Sequence, residues 1–108
     1  ERVVFHCFSG DADMARYCTE RGWFLSFAGP VTFKANESLR EALDVTPDHL
    51  LLVETDAPYL TPVPHRGKPN ASYLMPHTVR AMAERRGVDE ASLCSLLFDN
   101  AQTAFGEW

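Results

Sequence analysis

The stretch Leu50-Leu-Leu-Val-Glu-Thr-Asp-Ala-Pro58 constrains this chain more than any other. Leu50 to Val53 is an unbroken aliphatic run, without the alternation of a half-exposed strand, and reads as a buried parallel strand. Ala57-Pro58 stops it, because proline has no N–H to give to a ladder. Side chains alternate along a strand, so Glu54 and Asp56 share a face with Leu52. Two carboxylates at the end of an apolar strand are costly unless a proton, a metal ion or another cation compensates them. In α/β folds, ligands and active sites also gather at the carboxyl ends of strands.

The rest of the chain arranges itself around that strand. Val3 to Phe8 is an apolar run closed by Ser9-Gly10, and Asp11 is placed to cap a helix with Met14, Tyr17 and Cys18 as its buried stripe and Gly22 at its end. Trp23 to Ala28 reads as a second strand stopped by Gly29-Pro30. Asn36 caps a short helix carrying Leu39, Ala42 and Leu43 on one side, which Thr46-Pro47 ends. After the third strand, Thr61 to Ser72 holds three prolines (Pro62, Pro64, Pro69) and the basic knot His65-Arg66-Gly67-Lys68. It reads as a long loop, of the kind that is functional or disordered. Pro76 suits the first turn of a helix with Val79, Met82 and Ala83 inward and Gly87 at its end. Asp89 caps a last helix with Leu93, Leu96, Leu97, Ala101 and Phe105 as its stripe. Strands alternating with helices imply parallel βαβ units in one α/β segment spanning residues 1–108.

Composition excludes several classes of function. The 108 residues, 45% of them hydrophobic, suffice for one small domain with a modest core. A formal charge of −5 gives no global basic field, so contact with a polyanion must rest on a local patch or on metal ions. Three cysteines (Cys7, Cys18, Cys94) without metal-type spacing fit reduced thiols in a cytoplasmic protein. No run approaches a membrane span, and no signal peptide opens the chain. The sequence starts directly on a strand without a methionine, as a piece of a longer protein would.

His6, near the end of the first strand, precedes Asp56 by 50 positions. Two βα units of about 25 residues fit that interval, close to the repeat of a (β/α)8 barrel. His6 shares a face with Val4 and Phe8 if the strand is regular, so it can point inward where Asp56 does. A His and an Asp on alternate strands, at one end of a barrel, suit a divalent metal. Three strands cannot close a barrel, and alone they leave two parallel edges unpaired.

Three motifs then carry a family resemblance. Phe5-His-Cys-Phe-Ser-Gly10, Glu54-Thr-Asp-Ala-Pro-Tyr-Leu60, and Pro64-His-Arg-Gly-Lys68 with Asn70 resemble the later motifs of the TatD family, metal-dependent hydrolases with a TIM-barrel fold best known as deoxyribonucleases. The resemblance covers essentially the whole chain, in the right order. It implies that these residues are the C-terminal part of a TIM (β/α)8 barrel of the metal-dependent hydrolase type, with the upstream strands absent. It further implies that His6 and Asp56 are ligands of a two-metal site for Mg²⁺ or Mn²⁺, with Zn²⁺ as an alternative. The family's His-x-His pair, bridging glutamate and further histidine would come from earlier strands. The sequence departs from the pattern at Ala71-Ser72, where relatives carry Glu-Pro, and at Thr103, where arginine is common.

The chemistry of phosphodiester hydrolysis gives these residues roles. Divalent ions supply a hydroxide near neutral pH and compensate charge on the phosphate. Neutral His6 donates a ring nitrogen, while Asp56 contributes charge and orients or deprotonates the water. Glu54 is a candidate acid behind the ligands, orienting the loop or a ligand. Arg66 and Lys68, with Asn70, are candidates for holding phosphates. Each has a plainer reading: Asp56 as a turn cap, Glu54 in a buried ion pair, and the basic loop as a solvated turn. His65 and His77 have no assigned site, the cysteines read as small core residues, and Phe24, Phe27 and Phe33 as packing rather than a base-stacking platform, with Phe33, in a strand-end loop, open to either role. The intact protein is thus expected to hydrolyse DNA from single-stranded or frayed ends. The alternatives are a metal hydrolase acting on another nucleotide or a tRNA-linked ester or amide, and a non-catalytic barrel fragment serving as an interaction module.

Overall fold

Three parallel strands lie side by side in chain order, β1 (Val4–Phe5), β2 (Phe24–Phe27) and β3 (Leu51–Val53). They belong to a computed structural model that describes residues 3–54 and 75–106. The loop expected over 61–72 lies outside the described residues, as do Asp56, Arg66, Lys68 and Asn70. Helix α1 (Ala12–Thr19) joins β1 to β2, and α2 (Glu37–Val45) joins β2 to β3. Helices α3 (Met75–Arg86) and α4 (Glu90–Phe105) follow. In register, Phe5 stands opposite Leu25 and Leu25 opposite Leu51, while Ser26 stands opposite Leu52.

β2 is the middle strand and every residue in it is buried. Its alternation divides the interior in two. Leu25 and Phe27, with Leu51 of β3, face a core built from α1, α2, α3 and the first half of α4. Burying each such side chain is worth about 1.5–3 kcal/mol. Phe24 and Leu52 face the other way, where Leu50 and Ala104 of α4 join them.

The caps explain where the helices begin. Asp11 accepts the Met14 N–H at 3.0 Å, and Asp89 accepts the N–H groups of Ala91 and Ser92. Gly22 and Gly87 take left-handed φ values of 75° and 68° as the chain leaves α1 and α3, a region that costs glycine nothing. Asn36 does precede α2, but its side-chain amide donates to the Pro30 carbonyl at 3.0 Å instead of capping.

Four expectations need correction. The first strand does not run from Val3 to Phe8: regular pairing stops at Phe5, and Phe8 re-enters by donating its N–H to Ser26 at 2.8 Å. The two intervening residues act as a bulge and put Phe8 in the helix-side core, against Phe27, rather than on the face of Val4. Met14 and Tyr17 are half exposed. The buried face of α1 is Ala15 and Cys18, whose small side chains let α1 approach α2 closely. Phe105 is likewise 46% exposed. Of the cysteines, Cys18 alone is a core residue, Cys7 being half-buried and Cys94 exposed.

Polar side chains lock the helices to the sheet. Asn100, 6% exposed in the middle of α4, donates from Nδ2 to the carbonyls of Asp48 and Leu51, at 2.6 and 2.7 Å. Arg86 donates to the Leu43 carbonyl and to Asp48, both at 2.6 Å, tying α3 to the end of α2. Among the described residues no helix is long and apolar enough to cross a membrane.

Candidate metal site at the strand ends

β1 ends in a sharp turn at His6 and Cys7. Cys7 takes φ of 48°, a left-handed conformation that costs a non-glycine residue about 1–2 kcal/mol. The turn is held from across the sheet, because the Glu54 carboxylate accepts the Cys7 N–H through Oε1. Its other oxygen, Oε2, lies 3.4 Å from His6 Nδ1, at the long end of hydrogen bonding. Glu54 itself continues the ladder, donating its N–H to Phe27 at 2.9 Å. So β1 and β3, which flank β2 without touching, bring a histidine and a glutamate together at their carboxyl ends. Inward residues of alternate strands fall into one layer in this way in parallel barrels.

The surroundings fix the imidazole further. His6 stacks on the Phe105 ring of α4, with centroids 6.4 Å apart and planes inclined by 20°. Both residues line a cleft of about 330 Å³ floored by Ser26 and Leu52 and walled by Met75, Cys94 and Phe98 from α3 and α4. The histidine side chain is 66% exposed and Glu54 24%, so the pair opens to solvent at the mouth. Sequence reasoning named both His6 and Glu54 but not their contact, and it missed the wall that α4 supplies. Cys94, Phe98, Ala101 and Phe105 recur at helical spacing along α4, which is the signal that could have found that wall.

An imidazole at the mouth of a cleft, backed by a carboxylate, is a ligand that suits a divalent cation. Among the described residues no group of three or more His, Cys, Asp or Glu converges, so the described part offers an incomplete site. Asp56, the other expected ligand, lies outside the described residues, as do Arg66, Lys68 and Asn70. A second cleft, of about 510 Å³, runs between α2 and α3 and shares no lining residue with the first. Two of its cations are already engaged. Arg40 donates to the carbonyls of Val31, Phe33 and Lys34, and Arg85 binds Glu37 and Asp44. Thr103, the position of one departure from the family pattern, donates its hydroxyl to the Asp99 carbonyl within α4 at 3.1 Å.

Comparison with known proteins is consistent along the chain. The family model described as TatD related DNase matches residues 1–106. A Mycobacterium tuberculosis protein named as an uncharacterized metal-dependent hydrolase TatD is 51% identical over 108 residues, covering 98% of this chain and 40% of its own length. A 3′-5′ ssDNA/RNA exonuclease TatD from Escherichia fergusonii is 37% identical over 109 residues, 96% of this chain and 42% of that protein. Among solved structures, the TatD homolog YJJV from Escherichia coli superimposes with a TM-score of 0.88 at 26% identity, over 97% of this chain and 40% of that one. The chain thus spans about 40% of the length of the curated relatives it matches.

Proposed function

This chain belongs to the TatD-related DNase family of metal-dependent hydrolases, its sheet and helices being part of their TIM-type barrel, and on that premise we propose that the intact protein hydrolyses DNA phosphodiester bonds. The observation that carries the reading is the meeting of His6 and Glu54 at the carboxyl end of a parallel sheet, facing a cleft. In this proposal residues 1–108 are the last βα units of the barrel, and the remaining ligands come from a preceding segment of the natural chain. The coverage of about 40% of each relative supports it, as do the edges of β1 and β3, unpaired among the described residues.

The residues take the following roles. His6 and Asp56 hold divalent ions, two of them, with Mg²⁺ or Mn²⁺ preferred to Zn²⁺. Bound there, such ions lower the pKa of a water and neutralise charge on the phosphate. Asp56 also orients the attacking water, and Arg66, Lys68 and Asn70 hold the phosphates of the strand. The relative named as a 3′-5′ ssDNA/RNA exonuclease supports attack on single-stranded 3′ ends. A cytoplasmic location, expected from the odd set of Cys7, Cys18 and Cys94 without metal-type spacing, is part of the same proposal.

The test uses the full-length protein on 3′-labelled single-stranded DNA with Mg²⁺ or Mn²⁺. Cleavage should require the ion and vanish in Asp56→Asn, while Arg66→Ala should raise KM by about ten- to a hundredfold, the loss of one charge-assisted contact. Unimpaired turnover by Asp56→Asn would remove that residue from the site. Ion-dependent cleavage of a nucleotide or tRNA ester or amide, with DNA untouched, would replace the substrate and keep the metal hydrolase. A natural chain that begins near Glu1 and binds no divalent ion tightly would leave a barrel fragment serving as an interaction module.

A further inference from the structure

We infer that Glu54 is a positioning residue that selects which nitrogen of His6 is presented to the metal: its carboxylate fixes the imidazole as the Nδ1–H tautomer and leaves Nε2 as the ligating atom. The inference rests on the proposed metal site. It deepens that site by assigning Glu54 a single task.

The assignment follows from donor and acceptor chemistry. An ionised carboxylate only accepts hydrogen bonds, so the ring nitrogen facing it carries the proton. That nitrogen is Nδ1, 3.4 Å from Oε2. The Nε2 lone pair is then the only one the neutral ring has to give. The opposite oxygen is also committed, to the Cys7 N–H. Both oxygens of Glu54 therefore face the turn that carries His6. The same carboxylate holds Cys7 in its left-handed conformation, so it sets the position of the His6 backbone as well as the ring edge. Phe105 supports the ring face. A hydrogen-bonded partner behind a ligating histidine orients it before an ion arrives, and Glu54 is placed to do this for His6.

Glu54→Gln tests this with little change of shape. The glutamine can still offer its oxygen to the Cys7 N–H, but it then turns its NH₂ toward His6. Nδ1 must become an acceptor, and the proton moves to Nε2. The primary readout is the histidine tautomer, from long-range ¹H–¹⁵N correlation spectra of ¹⁵N-histidine-labelled, ion-free protein at about pH 8, where imidazole is neutral. His6 in the wild type should be Nδ1–H, against the Nε2–H form that free imidazole side chains favour. In Glu54→Gln it should switch to Nε2–H, and Mn²⁺ affinity by calorimetry should fall by about 10–100-fold.

A wild-type His6 in the Nε2–H form overturns the inference, and that spectrum does not depend on how the variant folds. An unchanged tautomer in Glu54→Gln, or a switched tautomer with undiminished Mn²⁺ affinity, overturns it too. Should the tautomers behave as expected while neither protein binds Mn²⁺, Glu54 keeps its hold on the ring and the metal-site reading falls.

Discussion

Asn100 offers the sharpest test of how β3, the strand that carries Glu54, is held. Its Nδ2 donates to two carbonyls, those of Asp48 and Leu51, from a side chain that is 6% exposed. Asn100→Ala removes both bonds. Each is worth about 0.5–1.5 kcal/mol net, and a carbonyl left buried without a partner adds about 1–3 kcal/mol, so about 2–4 kcal/mol should be lost. Asn100→Asp keeps the volume but sets an acceptor-only carboxylate against two carbonyl oxygens. It should cost more than alanine, by about a further 1–3 kcal/mol, until acid protonates it. The assay is urea unfolding followed by circular dichroism, with the shift in midpoint read at unchanged slope. The sign of the difference carries the reasoning. If Asn100→Asp were as stable as Asn100→Ala at neutral pH, the side chain could not be a double donor to the start of β3.

Two further outcomes are accessible without substrate. Hydrogen bonds from the Ser92 hydroxyl, then from the Ser92 and Ala91 N–H groups, hold the Asp89 carboxyl below its ordinary range. A folded pKa below the unfolded one contributes stability that is present above the ordinary aspartate range and is lost as pH falls through the folded value. Thermal melts should therefore show Asp89→Asn, which keeps a good cap, losing less stability than wild type on acidification below about pH 4. For the cysteines, burial raises the Cys18 thiol pKa, against a smaller lowering by Arg21, whereas Cys94 is exposed. Alkylation with iodoacetamide followed by peptide mass mapping should find Cys94 modified first and Cys18 protected until the protein unfolds.

The order of elements was legible because the physics behind it is local. Asp11 and Asp89 cap their helices through their own side chains, and both act where the sequence put them. The buried run of β2 needs no partner to be recognised. What was not legible depends on contacts between distant segments. Period-2 reasoning assumed that β1 stays regular, yet an apolar Phe8 suits either face, and only the pull of Glu54 on the Cys7 N–H reveals the bulge that turns it. Met14 and Tyr17 were expected in the buried stripe with Cys18, whereas the face of α1 that is buried carries Ala15 and Cys18. The larger side chains lie outside, Tyr17 against the Arg21 guanidinium 3.4 Å from its ring centre.

The same dependence decides what the two acids of the third strand need. From sequence, Glu54 and Asp56 share one face and one electrostatic difficulty, and a bound cation would relieve both. In the structure Glu54 finds compensation within the protein, in the Cys7 N–H and the His6 ring, while Asp56 lies outside the described residues. On the proposed reading, replacing Glu54 should change how His6 is presented to an ion. In the proposed site the demand for a cation rests on Asp56. Its charge and the geometry of His6 become separable contributions to ion affinity, additive only where the two side chains do not touch through a shared ion. Combining Asp56→Asn with Glu54→Gln measures that coupling. If both act on one bound ion, the double variant should lose less Mn²⁺ affinity than the two single losses together, since an ion already lost to Asp56→Asn leaves His6 nothing to be positioned for.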